Sequence, residues 1–175
     1  DVGTTMRHVE QLHAGRIDIG FVRPPLDDPV LDELVLGREP LVCVVPKGHR
    51  LARQSELVRR EDLRDEPMVW WPEDHGPGAW RLMMQDLYGD PPWPTVARTE
   101  PEEERIVTAV AEGHGISVIM LERSRILSIP GAVYRRFANP EPTVGIAIAW
   151  RRDESRPTIA RFRELAIELT AGSSS

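Results

Sequence analysis

The chain of 175 residues has one cysteine, Cys43, and one lysine, Lys47, every other basic residue being arginine. A lone cysteine excludes an internal disulfide. Cys43 lies in the apolar run Leu41-Val42-Cys43-Val44-Val45, where a thiol packs as a small hydrophobe. No apolar run is long enough to cross a bilayer and no secretory leader is visible, so a reducing, cytoplasmic setting is expected, with no membrane partner. An excess of positive charge is also lacking. The net charge is −6 and no basic stripe interrupts the acidic balance, so the fragment alone is expected not to hold duplex DNA specifically.

The usual signs of catalysis are missing too. His8, His13, His49, His75 and His114 show no metal-ligand spacing, and Cys43 has no neighbouring base. Gly113-His114-Gly115-Ile116-Ser117 is neither a phosphate loop nor a nucleophile elbow, because the closing glycine is absent, and it reads as a tight helix-to-strand turn. The expectation is a protein that is not an enzyme, with no catalytic residue, no cofactor and no metal.

What is present is an ordinary globular mixture, 41% hydrophobic and 29% charged, enough to bury a core in one domain or in two small lobes. Thr4 or Thr5 can cap a helix bearing Met6, Val9 and Leu12 at helical spacing, with Gly15 placed to end it. Ile17 to Val22 reads as a buried strand that emerges at Arg23-Pro24-Pro25, and Leu41 to Val45 as another that stops at Pro46-Lys47-Gly48. A short strand, Met68 to Pro72, precedes a helix through Trp80, Leu82, Met83 and Leu87. A further helix begins near Pro101, has Glu102, Glu103 and Glu104 in its first turn, and ends at Gly113. Strands follow at 115–121, 132–137 and 144–150, and a last helix opens at Pro157 with Ile159, Phe162, Leu165, Ala166 and Leu169 on one side. Strands alternating with helices imply an α/β fold with largely parallel sheets.

Five of these segments carry a resemblance. Gly15-Arg16-Ile17-Asp18-Ile19-Gly20-Phe21, Pro46-Lys47-Gly48-His49-Arg50-Leu51-Ala52, Asp62-Leu63-Arg64-Asp65-Glu66-Pro67, Val107 to Met120, and Tyr134 to Trp150 resemble, in family order, the signatures of the substrate-binding domain of LysR-type bacterial transcription regulators. Arg50 and Met120 stand where the family usually has proline. The resemblance implies a two-lobed, periplasmic-binding-protein-like α/β domain with two crossover segments. Lobe one would be 1–46 plus 143–171, lobe two 47–142, and 172–175 a disordered tail. It also implies a small-molecule effector in the cleft between the lobes, and a first lobe that is N-terminally truncated. DNA would be contacted only through a missing N-terminal helix-turn-helix domain, and the full-length protein would be a homodimer or homotetramer. A solute-binding protein of the same fold is the second class, a small hydrolase the third. The gene upstream of Asp1 separates the first two, by a helix-turn-helix or a signal peptide.

Ligands of open α/β folds lie at the carboxyl ends of strands, beside helix N-termini whose free amides favour carboxylates. Thr5 matches the family position whose hydroxyl touches the effector, or else it caps its helix. Arg23 ends a core strand, where it either orients an anion or forms a surface ion pair. Gly78 and Ala79 follow Pro77 with small side chains that leave their amides approachable. Trp71 is either an apolar wall for an aromatic ring or part of the core, and His75 is an exposed loop residue able to lend a hydrogen bond. The acidic triplet at 102–104 repels a carboxylate, which directs an anion to the other two helix starts. The expected effector is a small carboxylate, aromatic or dienoic.

Overall fold

A computed structural model of the chain describes residues 3–54 and 56–172. In order they form α1 (Thr5–His13), β1 (Gly20–Val22), β2 (Leu31–Pro46), α2 (Arg50–Arg53), β3 (Met68–Trp70), α3 (Pro77–Tyr88), β4 (Val96–Thr99), α4 (Glu103–Ala111), β5 (Ser117–Met120), α5 (Leu121–Ser124), β6 (Ala132–Arg136), β7 (Thr143–Arg151) and α6 (Pro157–Gly172). They divide into two compact units: 1–38 with 74–80 and 145–175, and 39–73 with 81–144. The chain thus passes between units inside β2, at 73/74 ahead of α3, inside α3 and inside β7. The expected lobes placed the first passage at Pro46 and gave 74–80 to lobe two. Gly172, read as the start of the tail, closes α6, and 173–175 lie outside the described residues. Among the described residues no helix is long and apolar enough to cross a membrane.

In the first unit Thr4 is the N-cap of α1. Its backbone is extended (φ −72°, ψ 162°) and its hydroxyl accepts from the Arg7 amide at 3.3 Å. The helix stops where Gly15 turns left-handed (φ +64°) and donates to the Leu12 carbonyl at 3.0 Å. The face carrying Val9 and Leu12 packs with Val22, Leu31, Ala147 and Ala149. Each valine or leucine among them stabilises the unit by roughly 1.5–3 kcal/mol when fully buried. β1 runs antiparallel to β7, Phe21 opposite Ile148. Beyond β7, the Arg156 side chain and amide both donate to Glu154, and these bonds hold the Glu154 carboxyl down at about 2.

In the second unit the apolar half of β2 is flanked antiparallel by β5 and β6, so that Cys43 lies opposite both Val118 and Arg135. Cys43 is fully buried and burial pushes its thiol up, so it packs as a hydrophobe and is not a nucleophile. Ile106, Val107, Ala109 and Val110 of α4 cover Val42, Val44, Val69 and Ile119. His49 caps α2: its Nδ1 accepts from the Leu51 amide at 3.3 Å, and its Nε2–H donates to Glu66 at 3.0 Å. Two motifs of the sequence are therefore tied together through one imidazole.

The strand directions differ from expectation. β1 with β7, β2 with β5 and β2 with β6 are antiparallel, and β3 with β4 is parallel. Alternating apolar runs and helices signal the layers of a fold but not which ends of the strands the connections join.

Candidate functional site

The carboxyl end of β1 runs into Arg23-Pro24-Pro25, and three elements of the first unit converge on this loop. The Arg23 amide donates to Thr5 Oγ1 at 2.9 Å, which ties the loop to the first residue of α1. The Arg23 guanidinium donates from Nη1 to the Gly145 carbonyl of β7 at 3.0 Å. A Cβ on Gly145 would lie 2.8 Å from Pro24 Cγ, so the missing side chain is what lets the loop rest on β7. Gly78, in the first turn of α3, abuts the Pro25 carbonyl oxygen so closely that any Cβ would overlap it. Glycine at 78 is thus explained by packing, whatever its amide does.

Thr5, Arg23, Gly78 and Ala79 therefore belong to one unit and share one loop. Thr5 is 9% exposed and is not the cap, since Thr4 fills that role. Having accepted from Arg23, the Thr5 hydroxyl keeps its own proton to donate. Arg23 is half-buried and oriented by a carbonyl, where the sequence offered a surface ion pair as the alternative. Ala79 is buried, and the first-turn amides of α3 have no acceptor within the helix. Neither α1 nor α3 has an acidic residue in its first turn, whereas α4 has Glu103 and Glu104 in its own. The partial positive charge of a helix start is left uncompensated at the first two and opposed at the third.

Trp71 belongs to the second unit, where it stacks on Trp70 (centroids 6.3 Å apart, planes at 22°) and packs against the core around Val69 and Val107. His75 closes the 3-10 turn Glu73–His75 and is half-buried, not exposed. Sequence reasoning missed the Gly145 carbonyl, which orients Arg23 from a position 122 residues away. It also missed His8, which is buried at 8% exposure one turn along α1 from Thr5 and gives its Nδ1–H to the Phe21 carbonyl at 2.7 Å. The spacing of Thr5 and His8, three apart on a helix, was the available signal.

The family model of the LysR substrate binding domain matches residues 1–171. The chain belongs to that family. It is 26% identical over 159 residues to the HTH-type transcriptional regulator AlsR of Bacillus subtilis (strain 168), covering 91% of this chain and 52% of AlsR. To the HTH-type transcriptional regulator BenM of Acinetobacter baylyi it is 27% identical over 168 residues, 95% of this chain and 55% of BenM. The chain thus spans about half the length of these relatives. The solved structure of the BenM effector binding domain with its effector benzoate superposes with a TM-score of 0.72 at 25% identity, over 99% of this chain and 78% of that one. The α/β architecture is accordingly that of the two-lobed, periplasmic-binding-protein-like effector-binding domains.

Proposed function

We propose that this LysR-family domain is the ligand-sensing part of a DNA-binding transcription regulator, and that its ligand is a small organic carboxylate, aromatic or dienoic. Its carboxylate would sit where Arg23, the Thr5 hydroxyl and the opening amides of α3 converge. The observation that carries this reading is the fixing of Arg23 at both ends, by Thr5 at its amide and by Gly145 at its guanidinium. A planar fork of donors held in place loses little freedom on meeting a carboxylate. The helix starts add uncharged donors with no acid in their first turns to oppose the ligand. The relatives are named as transcriptional regulators, which favours a regulator over a solute receptor, and the BenM domain takes benzoate, a small aromatic carboxylate.

A thermal-shift screen tests the ligand class. Benzoate, other aromatic acids and dienoic acids are each compared with the corresponding amide. A ligand at a hundred times its Kd stabilises by about 2.7 kcal/mol, which in a domain of this size raises the melting temperature by roughly 5–10 °C. At least one acid is expected to do so while its amide does not. If no acid shifts the transition, or acid and amide shift it equally, a carboxylate is not what the site recognises.

A further inference from the structure

Two side chains of α1 hold the chain that leaves β1, and only one of them reaches Arg23 itself. Phe21 and Arg23 are alternate positions of extended chain, so their backbone groups lie along one edge. The Thr5 hydroxyl takes the Arg23 amide at 2.9 Å, and His8, one turn later on the same helix face, gives Nδ1–H to the Phe21 carbonyl at 2.7 Å. His8 is 8% exposed, and it packs closely on Gly20, where a Cβ would lie 3.1 Å from His8 Cβ. As apolar filler a buried imidazole has no advantage over leucine. What it supplies, and leucine cannot, is a donor.

We infer that His8 is a positioning residue for the ligand site: its bond to the Phe21 carbonyl fixes the height at which β1 ends, and with it the place of the Arg23 amide on Thr5 and of the guanidinium beside Gly145. The inference rests on the carboxylate reading above for its functional meaning, but the pinning itself can be measured without ligand.

The test uses His8→Leu, which removes the donor, and His8→Asn, whose amide nitrogen can stand where Nδ1 stands. Amide hydrogen exchange is followed at Arg23 and, as a control, at Leu12 in the core of the same unit. In His8→Leu, Arg23 is expected to exchange about tenfold faster or more while Leu12 changes little, and His8→Asn is expected to restore Arg23. A loss of general stability would move Arg23 and Leu12 together, and that result, or an unchanged Arg23, overturns the inference. Benzoate titration by calorimetry then reads the link to the site. The loss of one neutral hydrogen bond's worth of ordering predicts roughly fivefold weaker binding in His8→Leu, recovered in His8→Asn. Weakened Arg23 protection with unchanged benzoate affinity would sever His8 from the site. Failure of the wild type to bind benzoate would count against benzoate as a ligand of the proposed site, and the exchange result would still decide the pinning.

Discussion

Replacing Arg23 by alanine is expected to weaken carboxylate binding by about tenfold or more, with the fold intact. A hydrogen bond to a charged group contributes roughly 1.5–3 kcal/mol net, and 1.4 kcal/mol is tenfold in affinity. The wild-type side chain is already half-buried and aimed by the Gly145 carbonyl at 3.0 Å, so little of that gain is spent on ordering it. The fold should survive because the loop's other ties are to backbone: the Arg23 amide still reaches Thr5, and Pro25 still rests on Gly78. Arg23→Lys keeps the charge but loses the planar fork, and should fall between the two. Calorimetric titration with benzoate, or with the acid that gives the largest thermal shift, measures all three. Equal affinity in wild type and Arg23→Ala would mean that Arg23 serves only to brace β7.

Gly115→Ala should damage stability more than Arg23→Ala. Gly115 has φ +151°, a conformation L side chains rarely adopt, and an added Cβ would overlap the Pro67 carbonyl oxygen. That oxygen cannot simply move, because it accepts from the Ile116 amide at 2.8 Å, and the Ile116 carbonyl accepts in turn from Val69 at 2.8 Å. Backbone strain and forced overpacking each cost about 1–3 kcal/mol, so a total of roughly 2–6 kcal/mol is expected. In a domain of this size that lowers the melting temperature by roughly 4–24 °C. A melting temperature within a degree of wild type would show that the turn between α4 and β5 can rearrange freely. The same contact accounts for glycine at 115, within one of the motifs that carry the family resemblance.

Much of the first unit was legible because its signals are local. The capping threonines, the period of Met6, Val9 and Leu12 and the stop at Gly15 each act within a few residues, and α1 follows them. The choice between Thr4 and Thr5 was not legible, since either hydroxyl suits a helix start. It is settled by Arg23, whose amide claims Thr5 from 18 residues away. The first half of β2 was missed for a related reason. Leu31, Leu34 and Leu36 are interspersed with Asp32, Glu33 and Arg38, and this stretch is mostly half-buried, so it lacks the continuous apolar signature of Leu41 to Val45. Its anchoring includes the Arg152 amide on the Val30 carbonyl and the Arg152 side chain on Asp32, partners at the far end of the chain. Trp71 is half-buried against the core of the second unit, a packing that its place beside Trp70 did not separate from a ligand wall.

The central claim is that a carboxylate is held by Thr5, Arg23 and the start of α3, and amide NMR during a ligand titration tests it most directly. The backbone amides of Thr5, Arg23, Gly78 and Ala79 are expected to shift together along one saturating curve as benzoate, or the acid that gives the largest thermal shift, is added, and not when the matching amide is added. A saturating curve whose largest shifts lie elsewhere, with those four amides unmoved, would contradict the account.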